Sequence, residues 1–299
     1  MGEQTRRVGF VGTGIMGGPM AANCIQAGFA VTVFNRTAAK TKPLADAGAT
    51  VADSPAAVAA ASDIVCSCVT ADADVLSVVL DERTGIIAGA ESGTIVVDHS
   101  TVSPGVAVQC AEALRAKGVG YLDAPISGGD VGAKAGTLSI MVGGERADFD
   151  RALPVLEAMG KTVTYCGKTG AGYTVKLCNQ ILGGLHLVAA AEAISLAKAA
   201  GVDLEAMLQA VCSGAAGSWI LSNLGPKMVA GDDKPGFFID YQLKDLKLAT
   251  AAADKLDLPL PGAALATQLM KAASAQGHGR DGTQAIFHVI QSLAANRSD

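Results

Sequence analysis

The chain has 299 residues, half of them hydrophobic and 17% charged, enough apolar material for one large domain or two ordinary ones. A net charge of −5 with no run of like charge excludes nucleic acid as a main partner, because phosphate binding needs a concentrated basic face. The polar stretch Met1–Arg7 is no secretory signal, no apolar run is both long and glycine-free enough to span a bilayer, and seven scattered cysteines suit a reducing compartment, so a cytoplasmic protein without membrane contact is expected.

Taken in chain order, Val8–Val11 reads as a buried parallel strand, and Gly12, Gly14 and Gly17 follow in G-x-G-x-x-G spacing before a helix over Pro19–Ala27. The first glycine permits a tight turn, the second lets a pyrophosphate approach the backbone, and the third packs helix on strand. In a chain with 36 glycines the bare pattern is weak, and the flanking strand and helix are what give it meaning. The second strand, Val31–Phe34, ends in Asn35, Arg36 and Thr37, with Lys40 close behind. An NAD-binding domain usually places a carboxylate there for the ribose 2′-hydroxyl. A carboxylate would repel a 2′-phosphate, whereas Arg36 can pair with one, so the strand end favours NADP(H). The alternative is a solvated loop with an incidental arginine.

A helix is predicted over Ala38–Ala47, then a strand over Asp63–Val69 carrying Cys66 and Cys68. A helix over Asp72–Leu80, a strand over Thr94–Asp98, a helix over Ser103–Lys117 and a strand over Tyr121–Asp123 follow. The strands Leu138–Val142 and Lys161–Tyr165 flank a helix over Ala147–Met159. Strands alternating with 10–15-residue helices predict a doubly wound parallel α/β sheet, a dinucleotide-binding domain over residues 1–167. Within it, Ser127, Gly128 and Gly129 can present a hydroxyl and bare N–H groups to an anion, or form an ordinary loop.

The pattern changes near Lys168, and residues 168–299 read as an all-α domain. Its predicted helices are Tyr173–Ala200, Asp203–Cys212, Ser218–Leu224, Tyr241–Leu256, Gly262–Gln276 and Gly282–Ala295. The first is apolar over much of its circumference and reads as central to its domain. Such a surface also suggests a homo-oligomer, a dimer first and a tetramer second. On this helix Lys176, Asn179 and Gln180 lie at i, i+3 and i+4 and share one face. The lysine either snorkels to the surface or belongs to a site. The four histidines, 99, 186, 278 and 288, have no ligand spacing, so no metal is expected. His186 reads as a core residue and His99 lies beside Thr101. Trp219 either lines a pocket or packs in the core.

Four ordered motifs resemble the β-hydroxyacid dehydrogenase family, nearly end to end: G-F-V-G-T-G-I-M-G-G-P-M-A, D-A-P-I-S-G-G, G-x-G-x-x-x-K and K-D-L-K-L-A at 244–249. The family includes 3-hydroxyisobutyrate dehydrogenase, tartronate semialdehyde reductase and glyoxylate/succinic semialdehyde reductases. The resemblance implies a Rossmann sheet followed by an all-α domain, and hydride transfer between a nicotinamide and a small carboxylate-bearing aldehyde. Gly12, Gly14, Ile15, Met16 and Gly17 would hold the pyrophosphate. Asn35, Arg36 and Thr37 match the NADPH-using branch, with NADH as the lesser possibility. Val69 and Thr70 would border the adenosine ribose, Thr101 the nicotinamide half. Ser127, Gly128 and Gly129 would grip the substrate carboxylate, and Lys176 would be the general acid. Asn179 or Gln180 would touch substrate, Lys244 would reach the cofactor, Asp245 would orient the site and Phe237 would wall it. The alternatives are an NAD-linked 3-hydroxyisobutyrate or L-threonate type dehydrogenase and a non-catalytic nicotinamide sensor. An imine reductase typically replaces the lysine that is present here.

Overall fold

The computed structural model describes residues 6–295, which divide into two compact units between Lys176 and Leu177. The division falls inside a helix, a few residues beyond the change of pattern at Lys168.

The first unit alternates strands and helices. In order they are β1 (Arg7–Val11), α1 (Gly17–Gln26), β2 (Ala30–Phe34), α2 (Lys42–Asp46), β3 (Thr50–Val51), α3 (Pro55–Ala60), β4 (Ile64–Ser67), α4 (Asp72–Leu80), α5 (Ile86–Gly89), β5 (Ile95–Asp98) and α6 (Pro104–Arg115). Then come β6 (Gly120–Asp123), β7 (Ile126–Ser127), α7 (Gly129–Ala135), β8 (Leu138–Gly144), α8 (Arg146–Met159) and β9 (Gly160–Gly167). The sheet order is β3-β2-β1-β4-β5-β6-β8-β7, with β9 also on β8. The first six strands are parallel in the Rossmann order. The parallel pattern does not run throughout, because β8 is antiparallel to β6 and β7 and parallel only to β9. The connection from β7 to β8, residues 128–137 with α7 inside it, is shorter than the dozen or more residues a parallel crossover needs.

Period-two alternation feeds both faces of the sheet. Val8, Phe10, Ile64, Cys66, Ile95 and Val97 enter one core with α1 and α8, while Val11, Val65 and Val96 enter the other with α3, α4 and α6. Each fully buried side chain of this size stabilises the fold by roughly 1.5–3 kcal/mol. The predicted helix over 38–47 is instead a 3₁₀ turn, Ala38–Thr41, followed by α2, because Pro43 lacks an N–H and suits only a first helical turn. The helix α3 was absent from the sequence expectation. Ser54 caps it by accepting from Ala57 N at 3.1 Å, and Pro55 opens it.

The second unit follows α9 (Ala171–Ala199) with α10 (Leu204–Cys212), α11 (Trp219–Ala230), α12 (Ile239–Asp254), α13 (Pro261–Ala275) and α14 (Ile286–Ala295). Its core joins Leu187, Val188, Ala191 and Ile194 of α9 to Leu246, Met270 and Ile286. The predicted end of α11 at Leu224 is overrun. The helix passes through Pro226 because burial of Leu221, Gly225 and Met228 outweighs one lost hydrogen bond.

The expectation about bilayer-spanning stretches is also corrected, because α9 is long and apolar enough by length and composition to cross a membrane. Its glycines do not break it. Gly184 lies against Leu246, and Gly172 against the carbonyl oxygens of Asp123 and Met141. The burial of its Leu187–Ile194 face in the helical unit is the arrangement of a core helix.

A Cβ at position 172 would overlap two backbone oxygens that cannot move aside. Gly172→Ala is therefore expected to cost about 1–3 kcal/mol. A melting temperature lower by roughly 3–10 °C in a calorimetric scan checks this.

Candidate active site

The sheet order reverses between β1 and β4, and the crevice beyond such strand ends is where open α/β sheets take their ligands. Gly12 follows β1 with φ +92°, and a Cβ there would strike the Cys68 carbonyl oxygen. A Cβ at Gly17 would strike the Gly12 carbonyl oxygen, which explains the third glycine. Nothing lies within 4 Å of the Cβ direction of Gly14, and Ile15 is exposed. The first turn of α1 has no side-chain cap and no acidic residue. Gly18 N and Met20 N are bonded to Gly14 O and Met16 O and Pro19 has no N–H, so it is the positive dipole end of the helix and the open space at Gly14 that suit a pyrophosphate. The residues present fit a dinucleotide.

Asn35 does more than avoid a negative charge. Its Oδ1 accepts from Thr13 N at 3.0 Å and its Nδ2 donates to Thr37 O at 3.0 Å, so one amide braces the glycine turn and the loop after β2 together. A carboxylate cannot supply the second bond. Arg36, Thr37 and Lys40 are exposed on that loop. Beyond β4, Val69 is half-buried with its N–H donating to Ser100 Oγ at 2.9 Å, and Thr70 is exposed. Thr101 is half-buried beyond β5. Ser127 ends β7 half-buried, and Gly128 and Gly129 follow exposed at φ +135° and +63°, conformations only glycine adopts readily.

Two buried carboxylates, register partners on β5 and β6, lie at the strand ends: Asp98 and Asp123. Asp98 accepts from Ser67 Oγ at 2.7 Å, Ser100 Oγ at 2.8 Å and the Tyr173 hydroxyl. Asp123 accepts from Gly170 N at 2.8 Å and Tyr173 N at 2.9 Å. Burial pushes the Asp98 carboxyl up and the Asp123 carboxyl up to about 6, against the pull of these donors. His99 lies between them in sequence, and its Nδ1 is 2.7 Å from Ala124 O. A carbonyl only accepts, so the proton is on Nδ1 and Nε2 is a buried lone pair without a partner among the described residues. Burial holds this ring down to about 4, so it is neutral near pH 7.

Lys176 is buried on α9, which overrules the snorkelling alternative. One turn on, the amides separate into two roles. Asn179 is half-buried and donates to Gln180 Oε1 at 2.8 Å. Gln180 is buried and donates through Nε2 to Asp245 Oδ2 at 2.6 Å, while Lys244 Nζ stands 3.0 Å from Asp245 Oδ1. Gln242 closes the set by donating to Gln180 O at 3.0 Å. Both ends of the Gln180 side chain are thus engaged within the helical unit, and Asn179 is the more open amide. Neither α12, which carries the pair Lys244–Asp245, nor Gln242 was singled out as bracing Gln180; K-D-L-K in the sequence held the first two, and Gln242 left no signal.

Other expectations are revised. His186 is exposed rather than in the core. Trp219 is 67% exposed and so is not core packing. Phe237 is at the margin of exposure, its ring 6.0 Å from that of Tyr241. No cluster of three metal-ligating side chains occurs among the described residues.

Comparison with known proteins gives the geometry its context. Residues 7–167 match the family described as the NAD binding domain of 6-phosphogluconate dehydrogenase. Residues 170–290 match the family described as NAD-binding of NADP-dependent 3-hydroxyisobutyrate dehydrogenase. An uncharacterized oxidoreductase of Synechocystis is 43% identical over 95% of this chain and 98% of its own. The 2-hydroxy-3-oxopropionate reductase of Escherichia coli is 37% identical over 97% of this chain and 99% of its own. The crystal structure of a 3-hydroxyisobutyrate dehydrogenase from Salmonella typhimurium superposes with a TM-score of 0.85 at 36% identity, covering 95% of this chain and 99% of that one.

The depressed His99 has a signed consequence. The unfolded chain takes up the proton near pH 6.5 and the folded chain only near 4, so stability is full above 6.5 and is lost as pH falls through that window. Asp123, raised from 3.8 to about 6, acts oppositely over nearly the same range, its contribution being lost as pH rises. His99→Asn removes the first contribution alone. Urea unfolding from pH 4 to 6.5 is expected to show a slope less positive by up to about 1.4 kcal/mol per pH unit.

Proposed function

The chain belongs to the β-hydroxyacid dehydrogenase family, nicotinamide-dependent oxidoreductases acting on hydroxyl and oxo groups, and from that premise we propose that it is an NADPH-dependent reductase of small carboxylate-bearing aldehydes. The candidate substrates are glyoxylate, succinic semialdehyde and tartronate semialdehyde. The observation that carries the reading is Lys176, buried on α9 one turn before Asn179, as the one lysine of the G-x-G-x-x-x-K motif.

Bound nicotinamide supplies the hydride. The protein supplies the rest. In reduction, negative charge builds on the carbonyl oxygen, and the Lys176 ammonium stabilises that oxygen and donates the proton to it. In the reverse direction the same group must start as the neutral amine, so oxidation is favoured at higher pH. Ser127 and the two glycines after it hold the substrate carboxylate through a hydroxyl and bare N–H groups. Asn179 is the amide that orients substrate, because Gln180 is committed to Asp245 and Asn179. Lys244 and Asp245 act as a charged pair fixed on α12.

The preference for NADPH rests on the loop after β2. Asn35 presents Arg36 and Thr37 without a carboxylate beside them. Arg36 and Lys40 are exposed cations that complement a 2′-phosphate. The exposed apolar residues Leu182 and Leu196 of α9, 57% and 73% accessible, support a homo-oligomer.

Initial rates with NADPH and NADH against the three aldehydes test the reading, and a preference for NADH would move the chain to the dehydrogenase branch. Arg36→Ala is expected to weaken NADPH binding about tenfold or more, from the loss of one charge-assisted contact, and to leave NADH binding within twofold. Titration of nucleotide fluorescence reads both constants. Lys176→Ala is expected to lower kcat by about 10²–10⁴-fold with NADPH affinity nearly intact. A tenfold loss of cofactor affinity would make Lys176 a cofactor residue instead.

A further inference from the structure

The first turn of α9 is held to the sheet by an unusual set of bonds. The two carboxylate oxygens of Asp123 take the N–H groups of Gly170 and Tyr173, as an N-terminal cap supplied by another strand. Gly172 lets the helix backbone come down on the Asp123 and Met141 carbonyls. The Tyr173 side chain then passes into the core beneath, fully buried among Val96, Val102 and Tyr121. Its hydroxyl donates to Asp98, and the Tyr121 hydroxyl stands 3.0 Å away and donates to Tyr173 in turn. Asp98 is fixed in its own right by Ser67 and Ser100. Every polar group of this cluster is therefore matched, which is what makes a buried network rigid rather than costly.

The cluster has a direction. Asp98 is anchored to β4 through Ser67 and to the loop after β5 through Ser100. Among the described residues, Tyr173 extends this anchor to the long helix. Lys176 lies three residues further, on the following turn, and a rotation or lift of that first turn carries the lysine with it. A tyrosine can bind a buried carboxylate and still fill an apolar core, which neither phenylalanine nor serine can do alone.

We infer that Tyr173, tied to Asp98 through its hydroxyl and capped by Asp123 through its N–H, is the positioning residue that fixes the turn of α9 carrying Lys176. The inference rests on the reading of Lys176 as the proton donor only for its effect on turnover. Its structural half stands apart from that reading.

The test compares two single-atom deletions around one carboxylate. Tyr173→Phe removes the bond from Asp98 to the helix, and Ser67→Ala removes a bond from the same carboxylate to β4. Hydrogen exchange of the full-length protein without cofactor, followed by mass spectrometry, reads the backbone of residues 171–180 separately from that of β4 and β5. Tyr173→Phe is expected to speed exchange in 171–180 about tenfold, with β4 and β5 unchanged. It should also lower kcat about tenfold, with NADPH as cofactor and the best of the three aldehydes as substrate, and leave the dissociation constant of NADPH within twofold. Ser67→Ala is expected to leave exchange in 171–180 and kcat within twofold of the parent.

Unchanged exchange in 171–180 of Tyr173→Phe would overturn the inference. So would an equal effect of Ser67→Ala, which would make the carboxylate a general structural group. If Tyr173→Phe loosens the helix but kcat holds, the helix is anchored there and the lysine is not positioned by it, which again overturns the inference. Full turnover by Lys176→Ala would overturn the functional reading instead, and would leave the exchange comparison to decide the anchor alone.

Discussion

Two carboxylates buried side by side at the ends of β5 and β6 are the constraint on which the first unit depends. Removing an ionised group from water costs several kcal/mol unless donors replace the lost hydration. Asp98 finds its donors in Ser67, Ser100 and Tyr173, and Asp123 in the N–H groups that open α9. The donors come from β4, the loop after β5 and the start of α9, up to 75 positions from the carboxylate they serve. Satisfying the carboxylates therefore fixes where these elements meet. Burial holds both carboxyls above the ordinary carboxylate value, against the pull of those donors.

The cofactor-binding end of the same sheet obeys a different constraint, steric rather than electrostatic. Gly12 and Gly17 are glycines because backbone oxygens occupy the space of a side chain, and Gly14 is one because that space must stay open. Asn35 joins this glycine turn to the loop bearing Arg36. Shape at the turn and charge at the loop are thus set by one amide. The acid common in NAD-binding domains would lose the bond to Thr37 O and bring a negative charge beside Arg36 at once.

In the helical unit, packing and polarity share α9. One face contributes Leu187, Val188, Ala191 and Ile194 to the core. Near its start, Asn179, Gln180, Asp245 and Lys244 form a linked polar set. Buried Asp245 is offset by a cation and an amide, so this charge too is paired. The mixture explains why a helix apolar enough to cross a membrane carries two amides in succession.

The sequence by itself determined the Rossmann half, the all-α half and the family. Strand–glycine–helix order and the periods of the apolar residues are local properties, and the motifs occur at characteristic intervals along the chain. It also marked Lys176 and Asn179, because helical spacing places side chains on a common face. Short elements such as α3 were missed, since six residues carry too little periodicity to stand out. The antiparallel pairing of β8 was missed because strand direction is set by which partners pack, and not by the strand's own composition. Only the tertiary structure decided that Gln180 supports Asp245, that His186 is exposed and that Tyr173 belongs to the carboxylate cluster of the sheet. Those outcomes join residues 65 and 75 positions apart, or depend on which side of a helix is covered, and no local pattern encodes either.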